Sequence, residues 1–299
     1  TTASEVGASA FGAGAQANGA FSTATGAAAS ADGLQATAIG YSSVASARAS
    51  TALGGFSAAS GEFSTALGYG AAASNTRTTA VGISSAASGL NATAVGNTAT
   101  ASGNASAAMG SSASASGLNA TALGGSARAS ADNATSLGQL AWATTVGGTA
   151  IGRDAYVYGA GVNATAVGLS AWANAEGSVA LGAGARATEA NVVSVGNATG
   201  GTYAATRRIV NVSDGVAASD AATVGQLQEA TEYTRYLAAS GGVDSDSAAS
   251  VEGDYATAAG ESASVGMLLK GRFLLERELG RGGMGVVFLA RDERKVEAH

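Results

Sequence analysis

Thr37-Ala38-Ile39-Gly40 returns as Thr51-Ala52-Leu53-Gly54, Thr65-Ala66-Leu67-Gly68, Thr79-Ala80-Val81-Gly82 and Thr93-Ala94-Val95-Gly96, a spacing of 14 residues each time. The frame continues through Ala107-Ala108-Met109-Gly110, Thr121-Ala122-Leu123-Gly124, Thr135-Ser136-Leu137-Gly138 and Thr149-Ala150-Ile151-Gly152. One unit, from Thr149 to Thr165, is 16 residues long, and the period of 14 then returns at Val179-Ala180-Leu181-Gly182 and Val193-Ser194-Val195-Gly196. Weaker copies at Ser9-Ala10-Phe11-Gly12 and Thr23-Ala24-Thr25-Gly26 bring the array to 14 units over residues 9–206. A fixed period of this kind is the signature of stacked structural repeats.

The seventh and ninth positions of each unit are small: Ser43 and Ala45, Ser57 and Ala59, Ala71 and Ala73. Small residues at every second position describe one face of a β-strand, and the glycine at position four supplies a turn or a close backbone approach. Each unit therefore predicts one coil of two short strands and two turns. Fourteen coils at the spacing of neighbouring strands make a parallel β-solenoid about 65–70 Å long. We expect Ile39, Leu53, Leu67, Val81 and Val95 to stack in one inward column, with alanine-rich outer faces. So narrow a coil buries little apolar area alone, which predicts oligomerisation. The complete absence of proline fits, because proline would remove a ladder hydrogen bond wherever it fell.

Composition bounds the chemistry. Alanine and glycine account for 75 and 45 of the 299 residues, and charged residues for only 12% at a net charge of −6. There is no cysteine, and the one histidine is His299, which excludes thiolate metal sites, cysteine nucleophiles, a Ser-His-Asp triad and a multi-histidine zinc site within this sequence. No cofactor is expected. A net negative chain without a basic patch does not suit nucleic acid. Neither a signal peptide nor a membrane anchor is read within this chain, and no run of 18 apolar residues occurs.

Composition shifts near residue 206: 12 of the 36 charged residues lie before it and 24 after. There, Arg207-Arg208-Ile209-Val210-Asn211-Val212 is followed by Asp220-Ala221 and Val224-Gly225-Gln226-Leu227. Together with the 14-residue repeat, these residues resemble the head and neck of YadA-like trimeric autotransporter adhesins over residues 9–237. The resemblance implies a left-handed parallel β-roll, a homotrimer, and a neck that gathers three chains into a coiled-coil stalk. It also implies a non-catalytic head, exported to the bacterial cell surface and outer membrane. There it would attach through many weak sites to extracellular matrix or cell-surface ligands. The expected divisions are a head at 1–206, a neck at 207–225, a short stalk helix at 226–239, an acidic linker at 240–266 and a further segment at 267–299. Leu227, Ala230, Thr234 and Leu237 have the spacing of a short helical seam. Arg207 and Arg208 are expected to pair with Asp214 or Asp220 between protomers. Candidate adhesive positions are Asn91, Thr93, Asn163, Thr165 and Ser178, residues that the coil also needs for itself.

The last segment carries a second resemblance. Gly280, Gly282, Gly285 and Val287 match the G-x-G-x-x-G-x-V loop of bacterial Ser/Thr protein kinases, placed between strands at Phe273–Leu279 and Val286–Ala290. The phosphate-pairing lysine strand, His-Arg-Asp and Asp-Phe-Gly are missing, so this loop supplies no phosphoryl transfer. Two other readings remain open. One is an ice- or crystal-binding solenoid using the threonines at 37, 51, 65, 79 and 93. The other is a scaffold piece of a truncated kinase.

Overall fold

The computed structural model describes residues 1–197, 206–240, 268–269, 273–282 and 285–292 of the chain. It divides into two compact units, Thr1–Arg208 and Ile209–His299.

The first unit is a parallel β-solenoid. Each coil contributes a three-residue strand such as Thr65–Leu67 and a two-residue strand such as Ala72–Ala73. The three-residue strands form one 14-stranded sheet and the two-residue strands another, every neighbour parallel. The register is the repeat itself: Thr65 stands opposite Thr79, Ala66 opposite Ala80 and Leu67 opposite Val81. The 16-residue unit keeps it too, Thr149 meeting Thr165.

Four small residues per coil face inward. In the coil beginning at Thr37 they are Ala38, Ser43, Ala45 and Ser50, all fully buried. Alternation along the strand then sends Thr37 and Ile39 together to the outside. The expected inward aliphatic column is thus reversed. Ile39, Leu53 and Leu67 are 38–40% exposed, Val81 and Val95 are half-buried, and alanine is the core. The reason is room: with strands of two and three residues facing each other across the coil, little more than a methyl or hydroxymethyl group fits between them. Buried hydroxyls are mostly satisfied by the turn they follow, as where Ser50 Oγ donates to Ala47 O at 2.7 Å and Ser57 Oγ to Gly54 O at 2.8 Å.

The corners are set by backbone conformation. Position four is glycine at φ near +134°, as at Gly54, and a Cβ there would lie 2.5 Å from the Gly68 carbonyl oxygen of the next coil. Positions six and thirteen are left-handed and in most coils are not glycine, for example Phe56 at φ 57° and Asn91 at φ 58°. Inter-coil hydrogen bonds such as Phe56 N–H to Tyr41 O at 2.8 Å hold them there.

The 16-residue coil departs from the rest. Its two extra residues lie in the turn after Tyr156–Val157, and Val157 takes a core position that other coils give to alanine. Added methyl groups at Gly148 and Gly161 would lie 2.9 and 3.2 Å from Val157 Cγ1, so these glycines make room for the larger side chain. Thr145 Oγ1, buried beneath the turn, donates to Gly161 O at 2.7 Å.

In the second unit a helix runs Val224–Ser240, two residues ahead of the start expected for the stalk. Its N-terminus is a capping box: Thr223 Oγ1 accepts from Gln226 N–H at 3.2 Å while Gln226 Oε1 accepts from Thr223 N–H at 3.1 Å. No helix among the described residues is long and apolar enough to cross a membrane. Residues 241–266, most of the expected acidic linker, lie outside the described residues, as do the side chains of Thr234 and Leu237.

Further on, Phe273–Gly282 and Gly285–Asp292 form an antiparallel hairpin, with Leu268–Leu269 on its edge. The strands run further into the glycine-rich segment than expected. Gly280 stands opposite Val287 and Gly282 opposite Gly285, so residues read as a phosphate-covering loop are paired strand.

Candidate adhesive surfaces

The solenoid presents two outward sheet faces of different character. On the three-residue strands, threonines at position one run beside the aliphatic residues at position three. The aliphatic column continues through Met109, Leu123, Leu137, Ile151, Val167 and Leu181, an apolar residue in every coil from Ile39 on. It is the same surface repeated at strand spacing along the roll.

The face of the two-residue strands changes along its length. From Val44 to Ser114 its position-eight residues are small: Ala58, Ala72, Ala86 and Thr100 lie between. Then come Arg128, Trp142, Tyr156, Trp172 and Arg186, in register on adjacent strands. Trp142 and Tyr156 meet edge to face at 5.5 Å, and the Arg186 guanidinium lies 4.1 Å from the centre of the Trp172 ring. Tyr158, from the enlarged turn, stacks on Trp172 at 5.4 Å and 30°. This column was not singled out from the sequence, although its aromatic residues recur at the repeat spacing.

Of the expected adhesive positions, Asn91 and Asn163 are exposed at left-handed corners, with φ of 58° and 54°. Asparagine tolerates that conformation better than most residues, which accounts for its recurrence there. Thr93 and Thr165 are half-buried strand residues. Ser178 is fully buried, its hydroxyl donating to Ala175 O at 2.7 Å, so it lies in the core and not on the surface.

At the end of the solenoid, Arg207 donates to Val195 O at 2.5 Å and to Ala183 O at 2.6 Å, tying the last coils together. A methyl group on Gly182 would lie 3.0 Å from Arg207 Cζ, so the position-four glycine seats this guanidinium. Arg208 is exposed.

In the second unit Asp214 accepts from Thr223 Oγ1 at 2.5 Å, and Asp220 Oδ2 accepts from Val216 and Ala217 N–H at 3.0 and 2.9 Å. The backbone bonds from Ala217 and then Val216 hold the Asp220 carboxyl below its ordinary value of 3.8. Gln226 joins the segment before the helix to the helix through Gly215, accepting from its N–H at 2.9 Å and donating to its O at 2.8 Å. Gln226 went unrecognised as an organising residue because its partner lies 11 positions away. Ile209, Val210, Val212, Val216, Val224 and Leu227 are all exposed in the single chain.

Among curated proteins no relative was found. Among solved structures, the collagen-binding domain of the Yersinia adhesin YadA is similar at 25% identity and a TM-score of 0.43, over 58% of this chain and 85% of that one. The family model described as the YadA head domain repeat matches residues 3–29, 31–57, 59–85, 87–113, 115–141, 129–155, 160–185 and 176–198. These matches tile nearly the whole solenoid and more than half of the chain, and on them the chain belongs to the YadA head family of adhesins.

Proposed function

We propose that this chain is the head and neck of a homotrimeric, non-catalytic surface adhesin, exported to the bacterial cell surface, that attaches through repeated weak sites to matrix or cell-surface ligands. The observation that carries the reading is the unbroken aliphatic column of the three-residue strands, from Ile39 to Leu181. A solvent-exposed apolar column of this length is costly in a single chain, and identical copies side by side would cover one another's. The exposed valines and Ile209 around the neck, together with Leu227, ask for the same cover. Three chains meeting there would bring Arg208 of each toward the acidic neck residues Asp214 and Asp220, with Arg207 already fixed on its carbonyls. Trimerisation also triples every copy of a shallow site, so contacts that are weak singly hold firmly together. Exposed Asn91 and Asn163, with neighbouring Thr93 and Thr165, supply such repeated positions.

Light scattering on the full chain tests the assembly: the mass of three chains is expected, and a monomer overturns it. Retention of the full chain on collagen films or cell layers tests adhesion, with no retention on any matrix protein as the opposing result. The collagen film is the first choice because the similar YadA domain is a collagen-binding one. An ice-binding surface is less well supported, since the column beside the threonines is aliphatic and only one threonine per coil recurs.

A further inference from the structure

We propose that the aromatic and arginine column on coils 128–186 is a binding site for an acidic oligosaccharide. The inference gives one face of the proposed adhesin head a ligand class, and it stands on observations separate from those for the trimer.

Five side chains, Arg128, Trp142, Tyr156, Trp172 and Arg186, stand in register on adjacent strands, a column about 19 Å long at ordinary strand spacing. Tyr158 widens it beside Trp172. Aromatic residues at the sheet surface give up apolar area to water without return unless something covers them, and here they gather in one place. A sugar ring covers such a face with its C–H groups while its hydroxyls stay wet. The two guanidiniums at the ends of the column make no ion pair with any described residue, and a planar fork of N–H donors matches carboxylate or sulfate. Arg186 is already positioned by its ring contact, which lowers the ordering cost of binding.

Two further atoms point to a polar ligand. Trp172 Nε1, in the column itself, and Asn174 Oδ1, two residues further along the chain, are buried without a hydrogen-bond partner. Polar atoms left so are uncommon, and a hydroxyl-rich ligand that displaces their cover offers them both an acceptor and a donor.

Other occupants fit less well. A second copy of the chain has the continuous aliphatic column from Ile39 to Leu181 to cover, whereas this face is small from Ala58 to Ser114 and bulky only afterwards. A nucleic acid strand would stack on the rings, but two arginines in a chain of net charge −6 neutralise few phosphates. Proline-rich peptides dock in grooves between rings, and this is an outward sheet face.

The chain contains only two tryptophans, Trp142 and Trp172, and both lie in the column, so tryptophan emission excited beyond the tyrosine band reports on this site alone. The full chain is titrated with a heparin-derived hexasaccharide and, in parallel, with neutral maltohexaose. We expect a saturable emission change with the first that weakens with added salt, and little with the second. Trp142→Ala and the Arg128→Gln/Arg186→Gln pair should each weaken binding about tenfold or more, read by calorimetry, with circular dichroism and oligomeric mass unchanged. No response to the acidic hexasaccharide overturns the proposal, as does equal binding of maltohexaose or full binding by the arginine variant. A change of oligomeric mass in Trp142→Ala also overturns it, by making the column a subunit interface. Retention on collagen films and trimer mass are read separately, so failure here leaves the adhesin reading standing, and the reverse.

Discussion

A Cβ on Gly54 would lie 2.5 Å from the carbonyl oxygen of Gly68, the residue one coil further along, and the same approach recurs up the column of position-four glycines. Gly54→Ala therefore meets both a backbone collision and a φ of +134° that L-residues avoid. The expected cost is about 3 kcal/mol or more, seen as a large fall in melting temperature. Gly125, where an added methyl group meets nothing within 4 Å, is the control, and Gly125→Ala should leave the melt nearly unchanged. Equal effects of the two would show that the stack can spread to admit a side chain.

Buried serines divide by whether their hydroxyls are used. Ser50 Oγ donates to Ala47 O, while Ser64 Oγ and Ser106 Oγ are buried without a partner. Ser50→Ala should cost about 1 kcal/mol, and Ser64→Ala should be neutral or stabilising by up to about 1 kcal/mol. Denaturant melts of the two variants check the difference, and a larger loss at Ser64 would contradict it.

Core volume is set coil by coil. Val157 fills the enlarged 16-residue coil, so Val157→Ala should leave a cavity and cost about 2 kcal/mol. Ala94, fully buried in an ordinary coil, has no such room, and Ala94→Val should cost about 1–3 kcal/mol by overpacking. Opposite substitutions are thus both destabilising, measurable as lowered melting temperatures.

Asp220 should make the turn at residues 216–220 acid-sensitive. Its carboxylate accepts two backbone N–H groups, and its folded pKa is lowered by them. The stabilisation is then complete above the ordinary value of 3.8 and is lost as pH falls through the lower folded value. Amide exchange at Val216 and Ala217 should be faster in Asp220→Asn near pH 6, and that difference should fade only below the ordinary value of 3.8, as pH falls through the lower folded one. Equal protection at pH 6 would contradict the role. The same variant, run through light scattering, tests whether the neck acids join protomers.

Much of the solenoid was legible because each coil repeats its neighbour: the period of 14 is the strand register, and Thr65 meets Thr79 as the spacing requires. What was not legible was the direction of the side chains. Reading Ile39 as part of an inward column followed the rule that larger apolar groups go inside, and that rule fails where facing strands approach too closely for much beyond alanine and serine. The left-handed corners at Phe56, Phe63 and Arg77 left no trace either, since inter-coil hydrogen bonds impose that conformation on side chains of any kind. Among the candidate sites, Asn91 and Asn163 lie exposed, whereas Ser178 is buried because its hydroxyl satisfies the turn beneath it. The aromatic column was not legible because it occupies position eight, between the small residues of positions seven and nine whose alternation marks the strand.

The enlarged coil carries a lesson about how such a protein can change. Two additional residues are absorbed within one turn, and the strands on either side keep their partners, Thr149 with Thr165 and Tyr156 with Trp172. Nothing further along has to adjust, because every coil answers only to the two that touch it. Variation can therefore accumulate at a corner, bringing a new side chain such as Tyr158 to the outside, while duplication of whole coils extends the reach of the molecule by about 4.8 Å at a time. Reach and surface chemistry are independent variables in this architecture, open to separate selection.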